Sequence, residues 1–241
     1  MANLYNTLSI KALTVNYGSF TASAENLNLT HGIHVLIGEN GSGKSSVLTG
    51  ITGYNAQNIT ARALEINNQP VDKTADYISY LPQQNIPFQI TVEDFIVMTA
   101  PGKPSQKEVE KVLKKFKLES LKDASADQLS GGEYKRALCA QIHFENKEIL
   151  MFDEVEQGLD VNYQHLILRW LKELSQTKII IMGMHDLNLA LSYADTITCM
   201  KKGTLTAVKV PLELVDDDMM SAAFSREMKV INYEGKRIVI S

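Results

Sequence analysis

The run Gly38-Glu39-Asn40-Gly41-Ser42-Gly43-Lys44-Ser45 constrains this chain more than any other stretch. It fits Gly-x4-Gly-Lys-[Ser/Thr] and follows the apolar segment Ile33-His34-Val35-Leu36-Ile37. A strand that passes through such a loop into a helix makes a phosphate cradle. Glycines let consecutive backbone N–H groups turn inward around an anion, and the following helix adds its positive N-terminal dipole. Lys44 is placed to reach the β- and γ-phosphates, Ser45 to set its hydroxyl on Mg²⁺, and Ser46 to offer a second hydroxyl near the α-phosphate. Val47, Leu48 and Ile51 continue with helical spacing. The loop predicts nucleotide binding and leaves the purpose open.

A chain of 241 residues can build a large core as one α/β domain with a modest inserted lobe. Cys139 and Cys199 lie in apolar surroundings without a Cys-x-x-Cys or Cys/His neighbour, so both are expected to be buried free thiols. The net charge of −4 is spread over interspersed acidic and basic residues, which argues against a nucleic-acid partner. Met1–Ser9 lacks a charged and apolar leader pattern, and no stretch approaches the length of a membrane span. The chain is therefore expected to be cytoplasmic, with any membrane association made through a partner.

Strand-like segments at Ser9–Tyr17, Ile33–Ile37, Ile78–Leu81, Ile149–Phe152, Lys178–Met182 and Thr196–Met200 alternate with helical patterns, as in a parallel α/β sheet. Between about Gln84 and Ala126 the character changes. Pro87, Pro101 and Pro104 precede Ser105-Gln106-Lys107-Glu108, a capping-box pattern, and Val109, Val112, Leu113 and Phe116 follow at helical spacing. This predicts a small helical lobe, 84–126, inserted between core segments 1–83 and 127–210. A tail, 211–241, carries Asp216-Asp217-Asp218 and a strand pair at Met228–Tyr233 and Arg237–Ile240, turning at Glu234-Gly235.

Glu148-Ile149-Leu150-Met151-Phe152-Asp153-Glu154 is an apolar strand ending in two carboxylates, which such a sheet delivers to its ligand crevice. Asp153 is placed to help hold Mg²⁺ and Glu154 to polarise the water that attacks the γ-phosphate. Leu129-Ser130-Gly131-Gly132-Glu133 is a second glycine-rich turn before a helix. It resembles the signature motif of ATP-binding cassette (ABC) proteins.

The resemblance covers nearly the whole chain and implies a fold: a phosphate-loop NTPase core of ABC type, α/β, with an antiparallel β subdomain and a small inserted helical subdomain. It further implies that Ser130, Gly131, Gly132 and Glu133 cap the ATP of an opposing copy, in a head-to-tail dimer. Tyr17 matches the aromatic that stacks on adenine. Gln83 matches the glutamine that touches Mg²⁺ and the attacking water, with Gln84 the neighbouring candidate. Asp160 of Gln157-Gly158-Leu159-Asp160 matches the aspartate that meets the other subunit, and His185, 31 residues after Glu154, the histidine that senses the γ-phosphate.

Within the family, His185-Asp186-Leu187-Asn188, Glu133 and the tail look most like importer ATPases for iron-siderophore, haem and cobalamin uptake. That likeness implies a permease partner in the membrane, an extracytoplasmic substrate-binding protein acting indirectly, and ATP with Mg²⁺ as ligands. Two features depart from it. Val155 stands where transporter cassettes usually carry proline, so that Glu154-Val155-Glu156-Gln157-Gly158-Leu159-Asp160 looks closer to the iron–sulfur assembly ATPase, the alternative. The connection Thr99-Ala100-Pro101-Gly102-Lys103-Pro104 is also short for a siderophore-type lobe. A DNA-repair cassette is disfavoured, since no heptad insertion separates Gln83 from Ser130 and no basic stripe occurs.

Overall fold

The computed structural model describes residues 6–54 and 56–241, so Met1 to Tyr5 of the Met1–Ser9 segment lie outside the described residues. The strands and helices follow in the order β1 (Leu8–Asn16), β2 (Thr21–Leu29), β3 (Gly32–Ile37), α1 (Lys44–Thr52), β4 (Ile59–Ile66), β5 (Gln69–Pro70) and β6 (Ile78–Leu81). Then come α2 (Val92–Val97), α3 (Gln106–Lys115), α4 (Gly131–Glu145), β7 (Ile149–Asp153), α5 (Val161–Leu174), β8 (Ile179–Gly183) and α6 (Leu187–Tyr193). The chain closes with β9 (Thr196–Lys201), β10 (Thr204–Pro211), α7 (Asp217–Phe224), β11 (Lys229–Tyr233) and β12 (Lys236–Ile240). The six segments expected as strands and the tail pair are all strands, with ends shifted by a residue. The sequence did not delimit β2, β4, β5 or β10.

A six-stranded sheet runs in the order β10-β9-β3-β8-β7-β6, parallel except for β10. Its central strands are covered on both faces, which is why they read as continuous apolar runs. Leu150, Phe152, Ile180 and Met182 point into a core shared with the helices, while Ile149, Met151, Ile179 and Ile181 point into a second core. That second core is closed by α1 and by an antiparallel sheet ordered β2-β1-β4-β5.

The antiparallel sheet was hard to read because its inward side changes phase. In β1, Leu8 and Ile10 face the core and then Leu13 and Val15; in β2, Ala22 and Ala24 do so and then Leu27 and Leu29. The change falls at Lys11 and at Asn26, which has a φ of 54°. A strict period of two is thereby broken in both strands.

Between β6 and β7 the chain forms helices and no further strand, apart from an isolated bridge between Thr91 and Ser125. Ser105 caps α3 in the expected box: its N–H donates to Glu108 Oε2 at 2.8 Å, and its side chain accepts from the Glu108 N–H. Arg136 fastens these helices to the core. It is 3% exposed, donates to the Phe116 carbonyl at 2.8 Å, and lies 4.0 Å over the Tyr163 ring. Two residues of the acidic run in the tail are structural, Asp216 capping α7 and Asp217 accepting from the Val230 N–H at 2.7 Å. Both cysteines are buried free thiols, each pushed up to about 12 by burial. No helix among the described residues is long and apolar enough to cross a membrane.

His143 makes part of this stability pH-dependent. Its Nδ1 accepts from Trp170 Nε1–H at 3.3 Å, which requires the neutral ring. Burial lowers its pKa from 6.5, and Lys115 and Lys178 push in the same direction. Burial lowers that of His34 as well. Above the unfolded value of 6.5 both states hold a neutral ring, and the contribution is fully present. As pH falls below it, the unfolded chain takes up a proton that the native state refuses, and stability is lost toward the native pKa. The urea midpoint is expected to fall between pH 7 and pH 5, with a shallower fall in His143→Gln. Equal slopes for the two proteins would contradict this account.

Candidate nucleotide site

The loop after β3 wraps the N-terminus of α1. Gly38 has a φ of 152°, and a Cβ there would lie 2.1 Å from the Met200 carbonyl oxygen. Only glycine fits that approach of two backbones. Lys44 is buried, its ammonium donating to the carbonyls of Gly38 at 2.9 Å and Glu39 at 3.3 Å. Burial lowers its pKa, opposed by Glu154, Asp153 and Glu156.

Above the loop lies a cleft of about 610 Å³, lined by Asn40, Gly41, Gly43, Lys44, Ser45 and Ser46 on one side and by Gln83, Glu154 and His185 on the other. Asp153 and Glu154 stand at the C-terminal end of β7, where the parallel sheet opens to its ligand crevice. Asp153 is 3% exposed, and the Ser45 side chain lies beside its carboxylate and favours its charged form. Burial raises its pKa, opposed by Ser45, while its Oδ1 is buried without a partner. An orphaned carboxylate oxygen beside a serine hydroxyl suits a hard cation that takes its remaining ligands from phosphate and water. The residues present therefore fit Mg²⁺.

Glu154 has a φ of 55°, a left-handed conformation that costs about 1–3 kcal/mol and persists only where the surroundings over-determine it. Here its N–H donates to the Gly183 carbonyl at 2.9 Å, and its own carbonyl accepts from the Gln157 N–H at 3.2 Å. The side chain is turned into the cleft. Gln83 Nε2 donates to Oε2 at 2.6 Å, and His185 Nε2 meets Oε1. Gln83, Glu154 and His185, which lie 71 and 31 residues apart, thus form one polar chain facing Lys44 and Ser45.

Other expected residues lie elsewhere. Gly131 and Gly132 open α4 beside the turn that follows Glu154, a Cβ on Gly132 lying 3.4 Å from the Gly158 carbonyl oxygen. Ser130 and Glu133 close a second capping box there, the Ser130 N–H donating to Glu133 Oε2 at 2.9 Å. The Ser130 hydroxyl, which donates to Glu133 Oε2 at 2.6 Å, and then the Ser130 N–H hold the Glu133 carboxyl below its usual range. Asp160 caps α5, accepting from the Tyr163 N–H at 3.1 Å. None of these lines the cleft of its own chain. Tyr17 follows β1 and is 40% exposed, whereas Phe20, three residues on, lines the cleft. Sequence reasoning missed Phe20 and Gln157, which also lines it. The only signal for Phe20 was an aromatic just after the Gly18-Ser19 turn.

Fold and loop together define a phosphate-loop nucleotide-binding protein of the α/β class. The ABC transporter family model matches residues 25–157. A probable siderophore transport system ATP-binding protein of Bacillus subtilis is 30% identical, covering 93% of this chain and 88% of its own. The vitamin B12 import ATP-binding protein of Citrobacter koseri is 32% identical, covering 86% of this chain and 87% of its own. Among solved structures, a metal-chelate type ABC transporter in an inward-facing conformation is similar in fold, with a TM-score of 0.77 at 21% identity over 97% of this chain and 96% of that chain. The chain belongs to the ABC transporter family and is an ATP-binding cassette that hydrolyses ATP.

Proposed function

We propose that the chain is the ATPase subunit of an importer, for cargo of the iron-siderophore, haem or cobalamin type, and that two copies close on two ATP molecules to drive a separate membrane permease. One observation carries this. Gln83 touches the Glu154 carboxylate in the cleft, and the segment it begins presents Ile86, 85% exposed, and Phe88, 52% exposed. Residues this apolar and this open suit a partner surface. A push on that surface is thereby linked to the reacting end of the cleft.

In this proposal Tyr17 stacks on adenine beside Phe20. The backbone N–H groups of Gly38–Ser46 and the Lys44 ammonium hold the phosphates. Ser45, Gln83 and Asp153 hold Mg²⁺, which when bound neutralises charge on the transferring phosphoryl oxygens. Glu154 takes a proton from water as its oxygen bonds to the γ-phosphorus, and the bond to the β–γ bridging oxygen breaks to leave ADP and phosphate. His185 exchanges its contact with Glu154 for the γ-phosphate. Ser130, Gly131, Gly132, Glu133 and Asp160 reach the nucleotide of the opposing copy. ATP then favours the closed dimer by its differential contacts, and hydrolysis removes them.

The two importer relatives at 30% and 32% identity favour this assignment over iron–sulfur assembly. Val155, the residue behind that alternative, is fully buried in the helix-side core, so packing accounts for it. The test is a tagged purification from detergent-solubilised cells. A multi-spanning membrane protein is expected in near-equal amount, and Ile86→Glu is expected to lose it while ATPase activity without the permease is unchanged. Recovery of soluble scaffold proteins alone would overturn the importer assignment.

A further inference from the structure

Glu156 has been given no role above, yet it is a carboxylate only 3% exposed. A buried carboxylate persists where hydrogen bonds and opposite charge replace water. Here Oε1 accepts from the His185 backbone N–H at 3.1 Å, and Oε2 is buried without a partner. The opposite charge that acts on it is Lys135, in the first turns of α4, which makes no direct ion pair with it. Its ammonium donates to the carbonyls of Glu154 at 3.0 Å and Gln157 at 2.9 Å, which flank Glu156, and it attracts the Glu156, Glu154 and Asp153 carboxylates. The Glu156 carbonyl is also held, by Gln164 Nε2 at 3.1 Å.

Glu154 and His185 are therefore joined twice. One link is side chain to side chain, through His185 Nε2 and Glu154 Oε1. The other runs through the backbone, from the His185 N–H to the Glu156 carboxylate. The first must open when His185 turns to a phosphate. The second can stay, and it fixes where the ring begins.

Packing alone does not call for this side chain. Val155 and Leu159 fill the core on the same segment, and an apolar residue at 156 would add to it without a carboxylate to satisfy. We infer that Glu156 is a positioning residue for ATP hydrolysis: it holds the His185 backbone against the segment after β7, and so sets His185 and Glu154 in register at the γ-phosphate end of the cleft, with Lys135 as its counter-charge. This rests on the assignment of Glu154 and His185 above.

The test is steady-state ATPase kinetics of the full chain with Glu156→Ala, Glu156→Gln, His185→Ala and the double variant E156A/H185A. Glu156→Ala is expected to lower kcat roughly tenfold to a hundredfold, the scale on which a misplacement of about 1 Å acts, with KM for ATP changed less than about twofold. Glu156→Gln keeps an oxygen for the His185 N–H and is expected to recover most of kcat. In the His185→Ala background Glu156→Ala should add nothing, because both act through one group. If His185→Ala slows turnover but Glu156→Ala does not, or if the two losses multiply, the role of Glu156 is wrong while that of His185 stands. If His185→Ala leaves kcat intact, both fall. Should Glu156→Ala not fold, Glu156→Leu, which keeps the volume without the charge, takes its place with the same expectations.

Discussion

Glu154→Gln is expected to lower ATP turnover by about 10²–10⁴-fold, the contribution of a positioned general base, while nucleotide binding is retained. The substitution preserves shape and removes the basic oxygen pair. An amide oxygen can still accept from Gln83 Nε2, which lies 2.6 Å from Oε2 in the native protein. What disappears is the acceptor for a proton from water. Lys44 would meanwhile lose one of three carboxylates that oppose the lowering of its pKa by burial, and a more weakly opposed anionic ligand is, if anything, better held. Phosphate release should therefore collapse while ATP titrated against intrinsic fluorescence still saturates. On the proposed closure of two copies around ATP, the nucleotide should also drive the variant into a dimer that size-exclusion chromatography detects, since hydrolysis would no longer open it. Normal turnover by a folded Glu154→Gln would remove Glu154 from the role of base.

The largest stability effect is expected at Trp170. Its side chain is 1% exposed at the meeting of α5 with the sheet and the inserted helices. Its ring stands nearly edge-on to Phe116 at 5.0 Å and 79°, and to Phe152 at 6.2 Å and 85°. Phe116 ends α3 and Phe152 is on β7, so one indole joins the inserted helices to the strand that carries Asp153 and Glu154. Trp170→Ala removes the burial and opens a cavity that close-packed neighbours fill only in part, a cost of about 3–5 kcal/mol. It also strands His143 Nδ1 without its donor. Urea unfolding followed by circular dichroism should show that loss. Trp170→Phe should cost clearly less, since it keeps most of the volume and one of the aromatic contacts. A cost below about 1 kcal/mol for Trp170→Ala would mean that the three elements are joined chiefly elsewhere, with Arg136 the first place to look.

Much of the site was legible because its chemistry is local in sequence. Gly38–Ser45 announces itself by backbone requirement, and the 2.1 Å approach at Gly38 is the physical form of that requirement. Asp153 and Glu154 were legible because a strand buried on both faces must end its apolar run where it meets the crevice. Ser105 with Glu108 and the Glu234-Gly235 turn were legible because caps and turns are settled within four residues. The tail turn sits at positive φ in both residues, 49° and 76°, as a two-residue type I′ hairpin turn requires.

What escaped the sequence involves contacts between distant segments. β2 was hidden by its change of phase at Asn26, which makes sense only opposite the same change at Lys11 in β1. Phe20 could not be told from Tyr17 as the cleft aromatic, since a short turn decides which of them faces the loop. Glu156 and Lys135 each read as ordinary charged residues of a turn and a helix.

The sequence by itself determined that this chain carries a phosphate loop, a strand ending in paired carboxylates and a parallel α/β core, because backbone freedom, burial and charge placement at those points depend on a few neighbouring residues. Only the tertiary structure decided that Gln83, Glu154 and His185 form one hydrogen-bonded chain over Lys44 and Ser45, and that Glu156 bonds the His185 backbone from beneath. Those contacts exist because β6, β7 and β8 lie side by side in the sheet, and no spacing along the chain specifies which strand neighbours which.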